Sequence, residues 1–271
     1  MSFLEQPVKQ LATKDIVSVT PETSVLDTMK LMTQKRVTSV LVCQAGVLRG
    51  IITSRDLPRI FMNGESFLDM SVINVMTHPL DTCDEDETVL NALDMMINGG
   101  YRHIPVTDAS NNLFGIISET DILNSMGIYD PARLRLVEDM ISSNPTSINE
   151  DASLSEVVNL FNNNHVECLI IKKDAQAVGI ITERDLSGLL SSGISSDTPA
   201  KNFMSQPIFT ISIKSNVQEA ISAMHSYKVH HIIAVDDNGD IKGIISRDSF
   251  LLDFTRFLVR QLVKMTRQAL D

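Results

Sequence analysis

A chain of 271 residues, 43% hydrophobic and 21% charged, is long enough to bury more than one core and is neither disordered nor fibrous in character. Its formal net charge of -11 repels nucleic acid and anionic membrane surfaces, so an anionic ligand must be held by a local cluster of basic groups.

Residues 1–13 read as a short lead-in, and residues 16–20 as a strand that ends at Pro21. Ser24 then offers a hydroxyl N-cap with Asp27 three residues on, and Val25, Met29 and Met32 follow at helical spacing. Thr88, Ser153 and Asn216 stand at the same point later in the chain, with Glu156 and Glu219 completing capping boxes after the last two. Sixteen residues after each cap a short apolar strand begins, at Val40, Ile104, Leu169 and Ile232. A polar turn comes next, clearest at Asn238-Gly239, a two-residue hairpin signal.

The return strand is the most repetitive stretch. Gly50-Ile51-Ile52-Thr53-Ser54-Arg55-Asp56 reappears from Gly115 to Asp121, from Gly179 to Asp185 and, shortened by a residue, from Gly243 to Asp248. The glycines are spaced by 65, 64 and 64 residues, which makes the chain a tandem array. Thr53, Ser118 and Thr182 sit where a second helix would be capped. Each unit therefore reads β-α-β-β-α, and the fold class is α/β (α+β). The units are expected at 11–70, 76–133, 140–197 and 204–262, with 263–271 extending a C-terminal helix. Residues 57–75 and 122–139 read as connectors, and 186–203 as a Ser- and Gly-rich linker. The helix over 254–270 carries Phe254, Leu258, Leu262 and Met265 on one side. Arg256, Arg260, Lys264 and Arg267 lie on another, as a solvated face.

Asp56, Asp121 and Asp185 are candidates to bind a ribose, because a carboxylate can accept from both of its hydroxyls. Thr53, Ser118 and Thr182 could bond the sugar or a phosphate at the helix start. The same spacing also makes a capping box, and both readings stand. Fourteen and fifteen residues after the caps lie Thr38-Ser39, Arg102-His103, Glu167-Cys168 and His230-His231, so only the second and fourth repeats are basic there. A guanidinium fork suits phosphate, which favours Arg102. The histidines also fit half-buried surface positions, and Arg55 and Arg184 read better as salt-bridge partners.

Three cysteines without Cys-x-x-Cys spacing point to reduced thiols, with neither disulfide nor zinc. The N-terminal residues lack a basic start and an apolar run, and no stretch reaches transmembrane length, so the expected setting is the cytoplasm. No P-loop, His-Glu-x-x-His or Gly-x-Ser-x-Gly motif occurs. A non-enzyme without obligatory cofactor or metal is expected.

These residues resemble the cystathionine-beta-synthase (CBS) domain family. The likeness is carried by the Gly-Ile-Ile-[Ser/Thr]-x-x-Asp ending, by Tyr101-Arg102-His103-Ile104-Pro105-Val106 and by openings such as Val75-Met76-Thr77-His78-Pro79, over about residues 11 to 262. The resemblance implies four repeats paired sheet to sheet into two Bateman modules that form a disc. The arrangement is similar to that of the gamma subunit of AMP-activated protein kinase, whose clefts bind adenine nucleotides. It also implies that Arg102 and His103 serve the Asp56 cleft, and His230 and His231 the Asp185 cleft. The Asp121 cleft would see the neutral Thr38 and Ser39. The fourth, where Ser249 stands in place of the carboxylate, would see Glu167.

The expectation is a regulatory, energy-sensing protein that binds AMP, ADP or ATP and signals to an unidentified protein partner. Neither nucleic acid nor membrane is expected as a partner, and monomer and homodimer both fit the sequence. Two alternatives stand beside it: a constitutive scaffold with vestigial clefts, and a sensor of S-adenosylmethionine.

Overall fold

The computed structural model describes residues 3–62, 65–110, 112–125, 135–143, 145–164 and 166–246, in a mixed α/β arrangement. Repeat 1 runs β1 (Ser18–Val19), α1 (Val25–Lys35), β2 (Ser39–Gln44), β3 (Val47–Thr53) and α2 (Leu57–Phe61). Repeat 2 continues with β4 (Cys83–Asp84), α3 (Val89–Gly99), β5 (His103–Thr107), β6 (Leu113–Ser118) and α4 (Glu119–Ser125). After β7 (Ser142–Ser143), repeat 3 comprises β8 (Ser147–Asn149), α5 (Leu154–Asn164), β9 (Cys168–Lys173), β10 (Gln176–Thr182) and α6 (Glu183–Ser191). Repeat 4 contributes β11 (Thr210–Ser212), α7 (Val217–Tyr227), β12 (His231–Val235) and β13 (Ile241–Ser246). The expected C-terminal helix, Ser249 and the extension 263–271 lie outside the described residues.

In every repeat the first strand pairs parallel with the second, and the second antiparallel with the third. A parallel step needs a crossover connection, and the capped helix supplies it. All four caps close: Ser24 accepts from Asp27 N at 3.0 Å, Thr88 from Asn91 N at 3.2 Å, Ser153 from Glu156 N at 3.2 Å and Asn216 from Glu219 N at 2.9 Å.

The hairpin turns depart from the expectation. At Asn238-Gly239 the loop is longer than two residues. Gly239 N donates to Asp236 O and Asp236 N to Asp240 O, both at 3.0 Å, with Gly239 at φ 82°. Asp236 also accepts from Asn238 N and Asp240 N, and this holds the wider loop. Two-residue turns occur instead at Ala45-Gly46 and Asp174-Ala175, where all four residues have positive φ.

The stretches read as connectors carry structure. Residues 6–13, 70–77, 136–143 and 199–205 each cross to the neighbouring repeat. Thr13 bridges Ile116 of β6, Thr77 bridges Ile51 of β3, β7 pairs with β13, and Ser205 bridges Ile180 of β10. Repeats 1 and 2 thus exchange lead-ins, and so do repeats 3 and 4. The exchange accounts for the recurrent glycine. A Cβ on Gly50 would lie 2.4 Å from Met76 Sδ and 2.9 Å from Thr77 O, and one on Gly179 would lie 2.4 Å from Met204 Sδ. The Ser-rich stretch after α6 is likewise no loose linker. Thr198 O accepts from Leu154 N at 2.9 Å and Ser196 O from Ser155 N at 3.0 Å, which fastens the start of α5.

Alternate residues of each strand serve two cores. In β9, Leu169 and Ile171 pack among the helices, while Cys168 and Ile170 meet Ile233 and Ile244 of the repeat 4 sheet. With both faces covered, the strands are unbroken apolar runs. The two modules join through their helices, α1 on α6 and α2 on α5. One core that includes Met29, Met32, Leu57, Ile60, Leu154, Phe161 and Leu186 is shared by repeats 1 and 3.

Candidate functional site

One backbone bond fixes what lies beside the start of each second helix. Ser54 N donates to Thr38 O at 2.9 Å, Glu119 N to Arg102 O at 3.1 Å and Glu183 N to Glu167 O at 3.1 Å. The residue fourteen positions after the first cap is therefore held against that helix start.

The aspartates sit in the first turn of the same helices. Asp56 Oδ2 accepts from Thr53 N and Oγ1, both at 2.8 Å. Asp121 Oδ2 accepts from Ser118 N at 2.8 Å and Oγ at 2.6 Å, and Asp185 Oδ2 from Thr182 N at 2.8 Å and Oγ1 at 2.7 Å. All three close capping boxes, and each uses one carboxylate oxygen to do so. The other oxygen, Oδ1, has two lone pairs with which to accept from further donors. At Asp56 that oxygen also lies 3.5 Å from Arg59.

A cavity of about 340 Å³ opens between repeats 3 and 4. Thr182 and Asp185 line it from the start of α6 and Ile180 from β10. Pro207, Ile208 and Phe209 line it from the lead-in to β11, Lys228, Val229 and His230 from the loop between α7 and β12, and His231 from the first residue of β12. The Phe209 ring stacks on Tyr227 with centroids 4.2 Å apart, which holds the apolar wall in place. Arg102, His103 and Ser118 of repeat 2 reach the same cavity. Most residues singled out from the sequence thus meet here, while Thr53, Asp56 and Asp121 are absent from its wall.

Among the wall residues that escaped the sequence reading are Lys228 and Phe209. Lys228 is the left-handed C-cap of α7 at φ 57°, and Arg36 fills the same place after α1 at φ 55°. Counting twelve residues on from the first and fourth caps reaches Arg36 and Lys228. Phe209 belongs to no repeated motif, and only the tertiary fold brings it to the cavity.

At the inner end of the cavity the charges are paired. Arg102 donates to Glu183 at 3.0 Å and to Glu167, and Arg55 donates to Glu167 at 3.2 Å and lies 3.8 Å from Glu183. Ser246 donates to Glu167 at 3.3 Å. All four repeats supply a member. Arg102 therefore faces the acids of repeat 3, a different setting from the Asp56 cleft expected for it, and His103 Nε2 sits 3.4 Å from Thr38 Oγ1.

Burial alone would raise the Glu167 carboxyl, but the His231 ring and the Arg102 and Arg55 guanidiniums outweigh it and bring it down to about 2. That ring lies 3.7 Å away, a charge contact only when protonated and too long for a hydrogen bond, so the arginines are the standing cause. Glu183 is shifted upward by burial, with Glu167 adding to it. His103 is pushed down to about 4 by burial first, then by Arg102, Arg55 and Arg184.

Among the described residues no group of three or more His, Cys, Asp or Glu could hold a metal ion, and no helix is long and apolar enough to cross a membrane. Cys43, Cys83 and Cys168 are free thiols.

Paired α/β repeats enclosing a cleft with an acid, an apolar wall and cations define the class: a tandem-repeat protein with a cleft between its units. The chain belongs to the CBS domain family, whose model matches residues 8–63, 72–127, 137–192 and 200–254. An uncharacterized protein of Methanocaldococcus jannaschii is 24% identical over 274 residues, a match that covers 94% of this chain and 62% of that protein. The chain thus spans less than two thirds of that relative. Another Methanocaldococcus jannaschii protein, put forward as an archaeal homolog of g-AMPK, superposes with a TM-score of 0.80 at 21% identity, covering 92% of this chain and 99% of that one. An uncharacterized conserved protein from Pyrococcus horikoshii superposes with a TM-score of 0.62 at 19% identity, covering 92% and 100%. Both share the fold.

Proposed function

We propose that this chain is a non-catalytic regulatory protein of the cytoplasm that takes an adenine nucleotide in the cleft between repeats 3 and 4 and passes the signal to a protein partner. The observation that carries the reading is the convergence on one cavity of a carboxylate, an apolar wall and cations. Asp185 would accept from the ribose, Ile180, Ile208, Phe209 and Val229 would flank the base, and Lys228, His230 and His231 would face the phosphate. Membership of the CBS family and the fold shared with the g-AMPK homolog support the same assignment. Thr53 with Asp56, and Ser118 with Asp121, are proposed as ribose contacts of separate clefts in the other pair of repeats. A signal requires that the ligand bind two states of the protein with different affinity.

S-adenosylmethionine is the second reading. Glu167 and Glu183 on the same wall favour it, because a sulfonium would find a carboxylate there.

Calorimetric titration of the purified chain with AMP, ADP, ATP and S-adenosylmethionine tests this, beside Asp185→Ala and Asp56→Ala. Saturable binding that Asp185→Ala weakens at least about tenfold, and that largely survives Asp56→Ala, is the expected result. Each substitution also removes a cap and costs about 0.5–2 kcal/mol of stability, so titrations belong well below the melting range. Silence from all four ligands at millimolar concentration on folded protein would overturn the reading and leave the scaffold.

A further inference from the structure

We infer that Glu167 and Glu183 restrict this cleft to nucleotides with a short phosphate chain, so that a nucleoside monophosphate is held in preference to the triphosphate. The inference rests on the cleft being an adenine-nucleotide site and concerns what that site selects. A first phosphate is provided for by Lys228, His230 and His231, on the loop that enters β12. Beside these cations the wall is acidic. The Glu167 carboxylate lies 3.7 Å from the His231 ring, and Glu183 stands two residues before Asp185 at the start of α6.

The arginines at that end do not offset these acids in favour of a ligand. Arg102 and Arg55 each meet both carboxylates, and with Arg184 and Glu119 on the same wall three guanidiniums stand against three acids; the Arg102 side chain is only 18% exposed. His103, on the same wall, is neutral at pH 7 because its burial and the arginines push it down to about 4. A β- or γ-phosphate extending from the histidines onto this wall must therefore lie against a carboxylate or draw an arginine away from one. In a partly enclosed site like charges a few ångströms apart repel far more strongly than in water. A monophosphate brings no such additional groups to the acids.

The test is the ratio of AMP to ATP affinity, measured by calorimetry in magnesium-free buffer at fixed ionic strength on the intact chain. The wild-type chain should hold AMP at least about tenfold more tightly than ATP. Glu167→Gln removes one carboxylate charge and leaves the arginines with a surplus, so it should tighten ATP about tenfold while moving AMP less than about threefold. Glu183→Gln should act in the same direction, and it keeps the question decidable should Glu167→Gln fail to fold. ATP bound as tightly as AMP by the wild-type chain overturns the inference alone, as does an equal shift of both nucleotides in the glutamine variants. No binding of any nucleotide overturns the reading of the cleft itself, and the inference falls with it.

Discussion

His103 is held neutral by the fold, down at about 4 from an ordinary 6.5, first by burial and then by three guanidiniums. Between those values the unfolded chain binds a proton that the folded chain refuses. Stability present above pH 6.5 is therefore lost as pH falls toward 4, by about 3 kcal/mol in all. Glu167 runs lower: its carboxyl falls from 4.5 to about 2, so its contribution is complete above pH 4.5 and disappears on approach to 2. Glu183, shifted upward, opposes the histidine just above 4.5, because there the folded chain takes up its proton first as pH falls. Urea unfolding of the wild type and His103→Asn across pH 7 to 4 isolates the histidine. The wild type should lose more stability on acidification than the variant, and parallel curves would show that His103 is not the cause. At this scale the sequence was only partly legible. The Thr-x-x-Asp spacing left cap and ribose roles open, and the structure shows the cap at Asp56, Asp121 and Asp185. That Arg102 would meet Glu167 and Glu183 was hidden, because those partners lie 65 and 81 residues away in another pair of repeats.

Helices and strands read more openly, since caps and apolar spacing are local. The recurrent glycine was visible but its reason was not, because what crosses Gly179 is Met204 from the next repeat's lead-in. Gly179→Ala places a Cβ against that side chain and should cost about 1–3 kcal/mol in denaturant unfolding. In a Met204→Ala background the cost should shrink, and an undiminished cost would point to backbone strain instead. Gly188 on α6 makes the opposite case. A Cβ there would come no closer than 3.8 Å, to Thr33 of α1, an ordinary contact. Gly188→Ala should therefore stabilise by about 0.5–1 kcal/mol through helix propensity, and a loss would mean that α1 and α6 tolerate no added atom.

For the whole molecule, the tandem count and the pairing could be read or implied from the sequence, but the joint between the pairs could not. Nothing periodic in α1 or α6 says that they meet. Because one apolar core is shared by repeats 1 and 3, the two pairs should unfold together. Scanning calorimetry should show a single transition for the apoprotein, raised by a saturating ligand, and two resolved transitions would refute the coupling. The exchanged lead-ins bear on ancestry. A chain ended near residue 62 keeps the segment that completes repeat 2 and lacks residues 70–77, which complete repeat 1, whereas a cut near residue 135 leaves each half with both of its exchanged lead-ins. Gene duplication acting on such an array should add repeats in twos. A lone third copy would be born with an open β-edge, ready to pair with whatever strand came by.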